Sequence, residues 1–246
     1  MKNSASYPSS IPVDLPTDKR IAAAVGRYGE ADVIERAIAL LGGANVGDDF
    51  LLYVGGRHAQ GVLDGAPALY WPEVWGARAL LHVWNQSAVP AVIASLENQA
   101  WRVREMAAKV AAHRELHVAS KLVELTTDET PRVRAAAAWA LAAVGTTDSV
   151  EPIAKLLRDP EKEVRRAAQQ ARDVLFKRVG RPAPTAIPMT VASTETDTET
   201  EAETEIEIEI EIEIEIEADT EPVANLDGTT AATPEAVDTA EASPEQ

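Results

Sequence analysis

Valine and small apolar residues return through the middle of the chain at a nearly fixed interval. Aligning PEVWGARALLHV from Pro72, WRVREMAAKVAA from Trp101, PRVRAAAAWALA from Pro131 and EKEVRRAAQQAR from Glu161 places valines at Val74, Val103, Val133 and Val164, spaced 29, 30 and 31 residues apart. Small or apolar positions follow at helical spacing: Ala77 and Leu81, Ala107 and Val110, Ala137 and Ala140, Ala167 and Ala171. Residues three, four and seven apart share one face of a helix, so each block predicts a helix with a single apolar stripe. Alanine in that stripe lets neighbouring axes approach toward the short end of the usual range of about 8 to 10 Å. A second apolar stretch follows each of the first three blocks: SAVPAVIASL from Ser87, HVASKLVEL from His117 and SVEPIAKLL from Ser149. Pro90 and Pro152 fall in equivalent first turns, where a missing N–H costs nothing. Thr130-Pro131 and Asp159-Pro160 read as an N-cap followed by the first helical residue of the next unit.

A period near 30 residues built from helix pairs predicts an α-solenoid, in which each unit buries its apolar face against its neighbours. Here it predicts three helix pairs and a closing helix over residues 72–181. Upstream, TDKRIAAAVGRYG, ADVIERAIALLGG and VGDDFLLYV read as helices that cap the stack, and GGRHAQGVLDGAPALYW, rich in Gly, as a long loop. These occupy residues 17–71, after a flexible N-terminus at residues 1–16. That N-terminus has Ser, Pro and Asp where a signal peptide needs an apolar run. No window approaches 18 uninterrupted apolar residues. The expectation is a cytoplasmic protein that does not engage a membrane.

Residues 182–246 are of a different kind, rich in Thr, Glu, Ala and Pro, with Glu-Ile alternation at residues 205–217. Period-two alternation is formally a strand pattern. Every second residue is Glu and no neighbouring segment offers a partner strand, so the reading is a disordered acidic tail of low complexity. Charge divides at the same boundary. All 23 Lys and Arg lie before Pro182 with 21 of the 40 Asp and Glu, leaving that part at +2, while the remaining 19 acids lie beyond it with no base. The overall −17 therefore belongs to the tail. A body at +2 lacks the electrostatic footprint of a nucleic-acid binder. The absence of cysteine excludes disulfides, thiolate metal sites and a thiol nucleophile.

The pattern V-R-x-x-A-A, a turn, and a proline-bearing second helix resembles the HEAT-like repeat of the phycobilisome-lyase type, over about 110 residues. The resemblance implies an all-α, short right-handed solenoid of HEAT-like helix pairs whose surface binds other proteins. It also implies an alternative, a lyase or lyase-accessory protein handling bilin chromophores, which bilin-dependent absorbance on mixing would detect.

Arg104, Arg134 and Arg165 each follow the repeat valine, and Asn98, Asp128 and Asp159 each lie six residues earlier. In HEAT-like repeats such Asp and Arg residues form an ion-paired ladder across inter-repeat turns, which suits arginine's bidentate fork. Those six positions are thus assigned a structural role. Arg102, Arg132, Lys162 and Arg166 have no such partner assigned and are the candidates for an acidic ligand. Trp75 replaces the repeat arginine in the first unit, one turn from Trp71, so the two indoles are weighed as an exposed anchor and as core packing. His113 and His117 have metal-clamp spacing but straddle the turn between two helices, and no histidine precedes a Glu. Asp48-Asp49 reads as a charge pair at a helix N-terminus. No catalytic residue, metal or cofactor is assigned. The expected partner is another protein, with the acidic tail contacting the body's own basic edge at Arg102, Arg132 and Lys162.

Overall fold

The computed structural model of the chain describes residues 11–180. Ten α-helices and no strand occur among them: α1 (Thr17–Tyr28), α2 (Glu30–Leu41), α3 (Asp48–Leu63), α4 (Trp71–Ala79), α5 (Val89–Ser95), α6 (Trp101–His113), α7 (Ala119–Leu125), α8 (Pro131–Val144), α9 (Val150–Leu156) and α10 (Lys162–Val179). None of the described helices is long and apolar enough to cross a membrane. The expectations placed on residues 1–10 and on the acidic segment from Pro182 onward lie outside the described residues.

The long helices stack in order, α4 on α6, α6 on α8 and α8 on α10, while the seven-residue helices α5, α7 and α9 each lean on the long helix that follows. The repeat valines explain this register. Val74 is 3% exposed and Val103, Val133 and Val164 are fully buried, with the alanine stripe beside them: Ala77, Ala107, Ala137, Ala140 and Ala171 are inaccessible. Val92, Leu122 and Ile153 bring the short helices into the same core. Alanine faces permit the close axis approach at the cost of a thin core per repeat, which stacking then makes continuous.

Each inter-repeat turn is closed by a side chain at one recurring position. Asn98, Asp128 and Asp159 accept hydrogen bonds at Oδ1 from the backbone N–H two residues on, of Ala100, Thr130 and Glu161, at 2.8, 2.8 and 2.9 Å. This is the Asx-turn, in which a short side chain mimics a backbone turn. Thr130 stands at the N-cap of α8 without a capping side-chain bond. The expected cap at Asp159-Pro160 is displaced: Glu161, the counterpart of Thr130, is the N-cap and α10 begins at Lys162.

At the N-terminal end, α1 packs on α3, and α2 packs on α4. Here the glycine-rich stretch does not form the expected long loop. Helix α3 runs on to Leu63, kinked at Gly56 (φ 57°, ψ −137°), and only residues 64–70 lie between α3 and α4. The kink leaves carbonyls of the preceding turn without helical donors, and the buried guanidinium of Arg20 takes them. Its Nε donates to Tyr53 O (3.0 Å) and its Nη2 to Val54 O (3.4 Å) and Thr17 Oγ1 (3.0 Å). Nη1 donates to Leu15 O, tying residues 11–16, placed within the flexible N-terminus by sequence, onto α3. A β-carbon at Gly76 would come within 2.7 Å of Leu41 N and 2.8 Å of Ala37 O, so glycine there sets how closely α4 lies on α2.

Candidate functional site

The arginine that follows each repeat valine points along the stack. Arg104 grips Asp128 with both arms of its fork, Nε to Oδ2 at 2.7 Å and Nη2 to Oδ1 at 2.9 Å. Arg134 grips Asp159 at 2.7 and 2.8 Å. These acids stand 24 and 25 residues after their arginines, so each pair bolts one unit to the next. The relation of six residues noted in the sequence describes a different contact. Nη1 of Arg104, Arg134 and Arg165 donates to the carbonyl of Asn98, Asp128 and Asp159, at 2.8, 2.8 and 2.7 Å. One guanidinium therefore closes its own turn and holds the next. The side chains of Arg134 and Asp159 are 12% and 6% exposed, which shields the charge-assisted bonds from water. Arg134 and the Glu161 N–H hold the Asp159 carboxyl below the ordinary carboxylate range.

The ends of the ladder differ in composition. In the first unit Trp75 stands in the arginine place, and the acid place of the following turn holds neutral Asn98, which keeps the Asx-turn and accepts from Arg104 at its backbone carbonyl.

Trp75 is 2% exposed, so the reading of it as an exposed anchor is corrected: its indole is core. The cause is Gly55 in α3. A β-carbon at Gly55 would stand 2.7 Å from the Trp75 ring, and the bare backbone there makes the hollow that the ring fills. His58 meets the same ring edge-on at 5.2 Å, and Trp71 stacks on it at 6.3 Å.

Trp71 is half-buried and begins a strip that crosses unit boundaries. The Arg102 guanidinium lies 5.0 Å from the Trp71 ring centroid and 4.5 Å from that of Trp101, and Arg132 lies 5.8 Å from that of Trp101. Arg132 also donates to Glu105 Oε1 from Nε and Nη2, at 3.2 and 3.1 Å, and Lys109 shares that carboxylate at 3.2 Å. Arg132 was expected to lack a carboxylate partner; Glu105, 27 residues earlier, is that partner. The position before the repeat valine carries Arg102 and Arg132, then Glu163, so the row of cations ends there. Lys162 and Arg166 stand exposed on α10 and take no part in the aromatic stack. Two residues before Trp71, Leu69 is 69% exposed with φ +47°, a conformation disfavoured for a branched side chain. The sequence reading missed the roles of Trp71, Trp101 and Glu105. A tryptophan directly before an arginine at a helix start was the available signal for Trp101.

His113 closes α6, and His117 lies in the turn before α7, so the two do not share a helix. Asp48 and Asp49 open α3, and Asp49 accepts from Arg27 at 3.1 Å. Burial depresses the His58 imidazole, helped by the Arg78 cation. Burial likewise depresses His82, with His113, Arg114 and Arg78 adding to it and Asp18 opposing. The unfolded chain therefore takes up protons at a pH where the folded chain does not. Stability is expected to fall as pH drops below about 6.5 and to recover as it rises. Thermal unfolding between pH 7.5 and 5.5 checks this; a flat profile, or a slope unchanged by His58→Gln and His82→Gln, would contradict it.

A family model described as HEAT repeats matches residues 89–172, from α5 into α10, which is 84 of the 246 residues. Helices α1 to α4, including the site of Trp71 and Trp75, lie outside the match. No curated protein matches the chain.

Proposed function

We propose that the chain is a non-catalytic scaffold that binds another protein in the cytoplasm, through the strip of Trp71, Arg102, Trp101 and Arg132 on a right-handed stack of HEAT-like pairs. The observation that carries this reading is the alternation of half-buried indoles and guanidinium groups across three successive units. Tryptophan and arginine give much contact area for little lost side-chain freedom, and they dominate binding hot spots when their surroundings exclude water. Each guanidinium here is held against a ring face, worth about 0.5–1 kcal/mol at such exposure, and Arg132 by Glu105 as well, so a partner carboxylate that joins or displaces these contacts meets donors whose ordering cost is partly met. Leu69 adds an exposed apolar contact at one edge. The partner this chemistry suits presents carboxylates beside aliphatic or aromatic groups. Match to HEAT repeats supports the reading, since such repeats commonly bind proteins.

Affinity capture with the full chain, beside a variant carrying Arg102→Ser and Arg132→Ser, tests it. The variant must keep its helical circular dichroism and unfolding midpoint. A partner retained by the parent and weakened at least tenfold by the variant is the expected result. A partner held equally by both would retire this face. Turnover of a substrate, abolished by one point change, would retire the scaffold reading itself.

A further inference from the structure

The arginine ladder has two closed rungs and one open one. Arg104 and Arg134 each hold two carbonyls of their own turn with Nη1 and present the Nε–Nη2 edge to an aspartate across the next turn. Arg165 is held by Nη1 in the same way, donating to Asp159 O at 2.7 Å and to Pro160 O at 2.8 Å. No unit follows α10 among the described residues, and no carboxylate there pairs with Arg165. The rest of α10 agrees with an open rung. Val164 lies 31 residues after Val133, and at that interval the buried Ala138, Leu141 and Ala142 of α8 correspond to Gln169, Arg172 and Asp173. Gln169 and Asp173 are exposed, so the face that is closed on α8 is open on α10. Beside it an open groove of about 450 Å³ is lined by Val150 and Ala154 of α9 and by Arg172 and Phe176 of α10. The Arg172 Nε is buried and meets no hydrogen-bond partner among the described residues.

We infer that Arg165 is the receptor for an aspartate in a turn of a partner protein, which docks where a further unit of the stack would lie. The two closed rungs set the chemistry of the occupant. In each, the bound acid is an aspartate whose Oδ1 also accepts from the N–H two residues on, so the carboxylate arrives already oriented by its own turn and the fork closes on both its oxygens. Arg165 offers the same edge, fixed by the same two carbonyl bonds, so little side-chain freedom is lost on binding. Charge points the same way: Lys162, Arg165 and Arg166 outnumber Glu161 and Glu163 on this exposed turn. That surplus is small, so the bidentate fork rather than net charge provides the selectivity. Beyond its aspartate the partner chain has about 16 Å of α10 to follow before it reaches Phe176, where the groove takes an apolar side chain and the Arg172 Nε takes an acceptor. A second copy is the poorer occupant. Its ladder aspartates Asp128 and Asp159 are already gripped by Arg104 and Arg134, and its remaining ladder turn offers neutral Asn98. The site holds or fails independently of the strip at Trp71 and Trp101.

The test reads the arginine Nε–Hε resonances of the full chain while a synthetic peptide copying residues 156–163, the turn that Arg134 grips, is added to millimolar concentration at low ionic strength. The Arg104 and Arg134 signals, which report closed rungs, serve as internal standards. The Arg165 signal is expected to move downfield toward them and to saturate, while they stay in place. A peptide with Asn in place of its Asp should bind about tenfold more weakly, the worth of one charge-assisted hydrogen bond. In an Arg165→Lys chain, which keeps the charge without the fork, the amide shifts that the peptide causes along α10 should weaken by a similar factor. In a chain carrying Arg102→Ser and Arg132→Ser they should be unchanged, which separates this site from the strip. An Arg165 signal that does not move overturns the inference. Equal binding of the Asn peptide, or equal binding by the Arg165→Lys chain, means diffuse attraction without a fork and overturns it too. So does loss of binding in the Arg102→Ser and Arg132→Ser chain, which would put the peptide on the strip. A downfield Arg165 signal that appears without peptide as protein concentration rises would assign the site to a second copy and equally overturn the choice of partner.

Discussion

Trp75→Ala is expected to lower the unfolding free energy by about 4 kcal/mol, measured by urea denaturation. Two terms act together. The substitution removes a ring buried to 2% exposure, and it leaves a cavity that cannot close. The walls are the backbone at Gly55 and the rings of His58 and Trp71, and a glycine has no side chain to collapse into the space. The same substitution at Trp101, which is half-buried on the strip, should cost under about 2 kcal/mol, because less of its surface leaves water on folding. A cost at Trp75 no larger than at Trp101 would contradict its place in the core. Loss of partner binding on Trp75→Ala would therefore report a damaged N-terminal core rather than a contact residue.

Arg134→Met is expected to cost about 3 kcal/mol, because it strands a nearly buried Asp159 carboxylate whose remaining bond is from the Glu161 N–H. Asp159→Asn keeps that turn bond at Oδ1 but removes the charge and turns an amide NH2 toward Arg134 Nε, a loss the still-present arginine limits to about 1–2 kcal/mol. The ordering, arginine removal above acid neutralisation, is what a rung shielded from water requires; an exposed pair would give near zero for both. Acid titration offers a second reading. The wild-type pair contributes stability that is present above the ordinary carboxylate range and is lost as pH falls through the lowered value of Asp159. The penalty of Arg134→Met should therefore shrink below about pH 4. A penalty independent of pH would point to lost packing of the arginine stem instead.

Periodicity made the stack legible. A valine recurring near every thirtieth place, with alanines at helical spacing, fixes which face of each long helix is buried, and Val103, Val133 and Val164 are inaccessible. Contacts between units were harder to read, because a sequence displays local intervals. The interval of six from Asp128 to Arg134 is a side chain reaching its own turn's carbonyl. The carboxylate of that rung comes from Asp159, 25 residues away, which only the stacking geometry brings near. Glu105 met Arg132 unannounced for the same reason. Two further arginines show the limit more sharply. Arg114 donates to the carbonyls of Leu80 and Leu81 at 3.0 and 2.8 Å, and Arg178 donates to those of Ala142 and Gly145, closing the C-terminal ends of α4 and α8. Nothing in their immediate sequence marks them as caps. In the glycine-rich stretch after Val54 the local rule misled outright. Gly55 and Gly56 serve close packing against Trp75 and Arg20 inside a kinked helix, so a composition typical of loops was imposed by tertiary neighbours.

Because each rung spans one turn between units, residues 101–130 carry both halves of one joint, Arg104 and the Asp128 that it grips. In-frame duplication of such a segment would add one donor and one acceptor together, and the ladder would close over any number of copies. Lineages bearing this chain can thus lengthen it by whole units without retuning a single pair. Shortening by a whole unit obeys the same rule, whereas gain or loss of half a unit would strand a buried charge.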